Sequence, residues 1–406
     1  MAKRCLCVFL CLWLTVVAAA ADGGQVLFDA TEGESLSGLM GAEDTHWPVS
    51  ALPAAGESLT VKAKGAVLMD QATGRVLFEQ GAKEQLPIAS VTKVMTLLLV
   101  MEALDEGRIG WQDAVTCSER AASMGGSQIW LEPGEVMTVE ELVKAAAVVS
   151  ANDACAALAE YICGSIDAFV TKMNERAAAL GMENTRFVDC SGLDDSGYSC
   201  AYDVAVMSRE LMTHGDVERF TTIWMDSLRG GASQLVNTNK LVKHYNGATG
   251  LKTGTTNAAG HCLSATARRE GTAFVAVVLG CATTADRWEG ARTLLDYGFA
   301  SYTAYTPEAV TPAPIPVRGG QQPQVAVAVP TPEALLIPKG QEGQITWQVT
   351  LCEDLQAPVF AGQTVGSWRL MLGEELLAEY PLCAAAQVAA VTLRWAYGLL
   401  LGALLG

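Results

Sequence analysis

Histidine is scarce in this chain of 406 residues. The four present (His46, His214, His244 and His261) are dispersed, and no run of Cys, His, Asp or Glu has metal-ligand spacing. No resident metal centre or cofactor is expected from such a distribution. Basic residues are also few, 27 Lys and Arg against 44 Asp and Glu, for a formal net charge of −17. So acidic a chain is a poor candidate for binding nucleic acid by charge alone, which leaves only a local basic cleft around Lys93 and Lys252. Cysteines available for pairing are fewer than the total of twelve suggests. Cys5, Cys7 and Cys11 lie in an N-terminal apolar stretch, and the other nine are odd in number and scattered through apolar segments. Most read as small buried hydrophobes, with Cys190 and Cys200 as candidates to pair across the Gly192–Ser199 loop.

The two ends of the chain are apolar for different reasons. Lys3 and Arg4, the apolar run Cys5–Val17 and the small residues Ala18–Ala21 read as an export signal cleaved near Ala20 or Ala21, with an uncleaved anchor as the alternative. Removing residues 1–21 takes away two basic residues and no acid, leaving 25 against 44, a charge of −19. At the other end, 384–406 is almost wholly apolar but contains Arg394, Trp395 and Tyr397. Only 12 residues follow Arg394, too few for a span, and all three side chains favour an interface. A membrane-associating tail of unspecified depth is expected rather than a buried core helix.

Between the ends, 22–57 is a Gly- and Glu-rich lead-in with weak periodicity. Residues 58–305 place strand patterns at both ends of a central helical block, which suggests a sandwich whose N- and C-terminal strands share one sheet. Residues 306–316 form a proline-studded linker, and 317–383 alternate as a small all-β domain does.

Three short motifs lie in the central region. Ser90-Val91-Thr92-Lys93 follows Pro87 and opens an apolar run read as a buried helix from about Ala89 to about Leu104. Ser90 and Lys93, three apart, share a helix face. A serine hydroxyl needs a base to become a nucleophile, and an amine in apolar surroundings loses its proton more readily, so Lys93 can be that base. Ser150-Ala151-Asn152 falls between a helix ending near Val149 and another starting within Asn152–Ala154, where the side chains can cap it or project into a cleft. Lys252-Thr253-Gly254-Thr255 precedes the strand pair 263–267 and 273–280. A cation with hydroxyls on a strand is a natural carboxylate receptor, and Gly254 would let a substrate backbone come close. Taken singly, each motif also fits a plain structural role: a capping serine with a snorkelling lysine, a turn, an exposed strand. Their order and contexts together supply the parts of an acyl-transfer site.

With these motifs the chain resembles the serine-type D-alanyl-D-alanine carboxypeptidases, the low-molecular-weight penicillin-binding proteins of peptidase family S11. The likeness also covers 66–77, 123–128, 131–135, 192–195, 201–203 and 237–239, and extends over roughly residues 58–300. It implies an α/β sandwich of the β-lactamase/DD-peptidase type, an antiparallel sheet flanked by helices with a helical subdomain, then a small all-β domain and a C-terminal apolar helix. It implies Ser90, Lys93 and Ser150 as catalytic residues, and Asn152, Lys252, Thr253, Gly254 and Thr255 as substrate-binding residues. The Ser90 and Thr255 N–H groups would form the oxyanion hole. The implied substrate is the peptidoglycan pentapeptide stem, with β-lactams as acylating inhibitors and the enzyme on the outer face of the membrane, facing the wall. Some relatives carry arginine where this chain has Thr238. No residue here is assignable as the separate deacylating glutamate of class A β-lactamases, so slow release of a penicilloyl group is expected. A β-lactamase, a D,D-endopeptidase and a catalytically silent wall-binding relative are the alternatives.

Overall fold

The computed structural model describes residues 25–27 and 59–405; the expected leader and nearly all of the lead-in lie outside the described residues. The centre is a five-stranded antiparallel sheet. Its strands are β1 (Gly65–Asp70), β2 (Val76–Gln80), β3 (Ala248–Thr256), β4 (Gly260–Arg269) and β5 (Thr272–Cys281), in the order β2-β1-β5-β4-β3. Strands from both ends of the region thus share one sheet, because Val67 of β1 pairs with Val277 of β5, and Ser264 of β4 with Lys252 of β3.

Alternation sorts the side chains onto two faces. Ala66, Leu68, Phe274, Ala276 and Val278 pack against the helix Thr284–Ser301, whose Trp288, Leu294 and Leu295 close that layer. Val67, Met69, Val275, Val277 and Leu279 face the opposite way, into the larger helical layer. With both faces covered, the strands read as apolar runs and expose little.

The helical layer is built around α1 (Lys93–Asp105). Every residue from Lys93 to Met101 is buried, which explains a sequence with no polar face. Around it lie α2 (Val139–Val148), α3 (Asn152–Cys163), α4 (Ile166–Ala179) and α5 (Ala201–Leu211). A capping box sets the start of α2: Thr138 accepts from the Glu141 N–H, and the Glu141 carboxylate accepts from the Thr138 N–H.

The second part is β-rich. A four-stranded sheet runs in the order Val327–Ala328, Glu375–Ala384, Thr364–Leu372, Ile345–Leu351, beside a smaller sheet containing Ile315–Arg318. That last strand starts inside the expected linker because Ile315 and Val317 alternate into the core of this part. The two parts are joined by more than a linker, since Tyr302–Tyr305 pairs antiparallel with Leu335–Pro338. The chain ends in an exposed helix, Leu393–Leu405.

The candidate Cys190–Cys200 pairing does not occur, and both are buried thiols, as most of the cysteines were expected to be. All nine described cysteines are free, and the Cys200 thiol instead accepts from the Asp203 N–H to cap α5.

Candidate active site

Ser90 sits in a single 3₁₀ turn, Ala89–Thr92, immediately before α1. Ala89 precedes it with φ +47°, a left-handed conformation that a non-glycine residue holds only when its surroundings enforce it. Two glycines from distant segments do the enforcing. A Cβ on Gly192 would lie 1.8 Å from the Ala89 carbonyl oxygen, and one on Gly254 would lie 2.6 Å from the Ile88 carbonyl oxygen and 3.0 Å from the Ser90 nitrogen. Gly254 is therefore small to admit the nucleophile's own turn.

Lys93 has no exposed surface. Its Nζ lies 2.8 Å from Ser90 Oγ and donates to the Ser191 carbonyl at 2.7 Å. Burial pushes the amine below the ordinary lysine range, with the negative charge of Asp189 opposing the shift. Asp189 also shapes the loop that supplies this carbonyl. Its carboxylate accepts from the N–H groups of Ser191 (2.9 Å), Gly192 and Asp194 (2.7 Å).

Ser150 occupies the turn between α2 and α3 with φ +62°, and its buried hydroxyl has no hydrogen-bond partner among the described residues. Asn152 opens α3 without capping it: the N-cap position is Ala151, which makes no side-chain cap. Asn152 makes no cap hydrogen bond, whereas Asp153 does meet the helix start, its Oδ1 accepting from the Ala154 N–H at 2.9 Å. Asn152 Nδ2 donates to the Gly125 carbonyl at 2.7 Å, its N–H donates to the Ser127 carbonyl at 2.7 Å, and its Oδ1 is left without a partner. The buried Asp153 carboxylate accepts from the N–H groups of Ile129 and Leu131.

The third motif lies on β3 as expected. Lys252 is buried and donates to the Thr253 carbonyl at 2.9 Å. Thr253 Oγ1 donates to Thr238 Oγ1 at 2.9 Å, so the position where some relatives carry arginine here holds a neutral hydroxyl pair. Thr255 Oγ1 accepts from Arg287 at 3.2 Å, a guanidinium only 1% exposed. His261 on β4 is half-buried, its Nδ1 3.4 Å from the same hydroxyl.

These contacts close into a circuit. The Ser90 turn meets Gly254; Thr253 bonds Thr238, whose N–H donates to the Val148 carbonyl at the end of α2, two residues before Ser150. Asn152 then packs against Gly126, Gly126 against Leu193, and Gly192 returns to Ala89. The three motifs therefore come together at one site. Asp189, Asp153 and Arg287 belong to it as well and had no motif to announce them. Among the described residues no group of three His, Cys, Asp or Glu is placed to hold a metal ion.

Residues 52–283 match the family described as D-alanyl-D-alanine carboxypeptidase, and 303–390 match the C-terminal domain of penicillin-binding protein 5. The chain belongs to the D-alanyl-D-alanine carboxypeptidases. This carboxypeptidase is 42% identical over 333 residues to D-alanyl-D-alanine carboxypeptidase DacF of Bacillus subtilis, a match covering 80% of this chain and 86% of that one. It is 31% identical over 334 residues to DacA of Escherichia coli, covering 79% and 82%. Penicillin-binding protein 5 from Haemophilus influenzae superposes with a TM-score of 0.72 at 29% identity, over 82% of this chain and 99% of the other. The ampicillin-bound form of penicillin-binding protein D2 from Listeria monocytogenes gives 0.55 at 32% identity, over 60% and 100%. The carboxypeptidase is thus a serine-type D-Ala-D-Ala hydrolase and a penicillin-binding protein, with the sandwich-plus-β architecture expected from its sequence.

Proposed function

We propose that the carboxypeptidase removes the terminal D-alanine of peptidoglycan pentapeptide stems through an acyl-enzyme on Ser90. The observation that carries this reading is the fully buried Lys93 amine 2.8 Å from the Ser90 hydroxyl. Ser90 Oγ attacks the carbonyl between the two D-alanines while Lys93 takes its proton. The C–N bond breaks, and the departing D-alanine amine collects a proton through Ser150, with Lys252 behind it. Water, activated by Lys93, then cleaves the ester and restores Ser90. The Ser90 and Thr255 N–H groups hold the developing oxyanion, Asn152 holds the acyl peptide, and Lys252, Thr253 and Thr255 receive the free carboxylate. Gly254 serves this binding site by letting the strand approach the Ser90 turn. Arg287, buried against Thr255, adds positive charge where the carboxylate is received.

The same proposal places the enzyme outside the cell, exported by residues 1–21 and held by its tail. Tyr397 is 65% exposed and Leu400 63%, and no single described helix is long and apolar enough to cross a membrane. An interfacial helix fits that length and those side chains.

Intact-mass measurement after exposure to penicillin tests the nucleophile. A stable adduct of one whole penicillin is expected on the wild type and not on Ser90→Ala, together with D-alanine release from a pentapeptide by the wild type alone. Rapid turnover of penicillin without an adduct would point to a β-lactamase. Neither adduct nor turnover would leave a wall-binding role.

A further inference from the structure

Trp130 stands out among the residues not used above. Its side chain is 56% exposed although both neighbours, Ile129 and Leu131, are buried, and its φ is +59°, a conformation that is a genuine outlier for a bulky side chain. The strap that carries it is fixed on two sides. The N–H groups of Ile129 (3.1 Å) and Leu131 (3.0 Å) donate inward to Asp153, the residue after Asn152. Outward, the carbonyls of Ile129 (3.0 Å) and Trp130 (3.5 Å) accept from Arg229. Arg229 is itself held by two bonds to the Glu135 carboxylate, at 2.7 and 3.1 Å. An exposed indole is thus held in a strained pose by the buried Asp153 on one side and the half-buried Arg229–Glu135 pair on the other, an arrangement that packing alone does not require.

The strap is also tied to the candidate site. Gly125 and Ser127 accept the two hydrogen bonds of Asn152, and Trp130 follows three residues later, within about 10 Å along the backbone. A stem extended from the scissile carbonyl back to its sugar covers about 14 Å, so the sugar end comes within range of this strap. We infer that Trp130 is a stacking platform for the muramyl sugar that carries the stem, an inference resting on the site reading proposed above. A flat, open aromatic face suits the C–H face of a pyranose, whose hydroxyls stay in water. An aliphatic stem side chain would gain more from an enclosed pocket. Exposed Glu132 and half-buried Gln128, two residues to either side of Trp130 in the chain, carry groups able to bond hydroxyl and acetamido substituents.

The test compares D-alanine release from a free pentapeptide and from the same pentapeptide on N-acetylmuramic acid, using the full chain. Wild type is expected to favour the sugar-bearing substrate in kcat/KM about fivefold. Trp130→Gly accepts the positive φ without strain, so it removes the indole and keeps the strap; it should abolish the preference while leaving the rate of acylation by penicillin unchanged. Trp130→Phe should retain most of the preference. No preference in the wild type, a preference that survives Trp130→Gly, or an equal loss on both substrates would overturn the inference. Wild type releasing D-alanine from neither substrate would overturn the underlying site reading instead.

Discussion

Within the site, Lys93 must stay dry to be a base and yet folds at a cost for the same reason. Burial lowers its pKa below the usual 10.5, so the unfolded chain binds more protons than the folded one between the folded value and 10.5. Stability associated with this residue is therefore present above 10.5 and lost as pH falls through that window. Chemical denaturation of wild type and Lys93→Met across pH should show the difference in unfolding free energy narrowing as pH rises. A pH-independent difference would mean that the lysine is solvated. Acylation by penicillin should fall at low pH through the same protonation, because Ser90 then faces an ammonium. Free thiols give a second check at this scale: burial raises Cys155 and Cys262 to about 11, whereas Cys352 is exposed. Alkylation of the native protein at pH 7.5 should label Cys352 and spare Cys155 and Cys262 until denaturant is added.

The elements meet at the Ser90 turn, and there glycine decides the geometry. Gly254→Ala places a methyl against backbone atoms that cannot rotate away, which shifts the nucleophile or the strand. Its acylation rate should drop about a hundredfold, the scale of a misplacement near 1 Å. An unchanged rate in Gly254→Ala would show that turn and strand are not rigidly docked. This contact also marks the border of what was legible in the sequence. Ser90, Lys93, Ser150, Asn152 and Lys252–Thr255 could be read because their side-chain types carry chemistry and because helix and strand periodicity fixes their local setting. The partner of Lys93 could not, since it is the carbonyl of Ser191, 98 residues away, and every residue has a carbonyl. Asp189 and Asp153 act on backbone N–H groups, and Arg287 joins Thr255 from 32 positions on, so neither leaves a local pattern. Gly254 was visible as a glycine, but what pressed against it was not.

In the whole molecule, the sheet, its two covered faces and the following β part were legible from alternation and apolar runs, whereas the strand pairing between the parts was not, for it depends on which distant edge is free. The proposed tail function belongs to this scale. A chain ending at Thr392 should sediment with anionic vesicles far less than the full chain while releasing D-alanine in solution within twofold of it; equal sedimentation would assign membrane contact to another surface. Tyr302–Tyr305, which leaves the last helix of the sandwich and pairs with Leu335–Pro338, gives this arrangement its mechanical character. An enzyme on a slack leash would sweep every depth of wall within its radius. With the tail on the membrane as proposed, backbone hydrogen bonds across the junction would make the β part a bracket instead, and a bracket sets a working height. Lengthening or shortening that part would then change which layer of the wall is trimmed, with the chemistry at Ser90 left as it is.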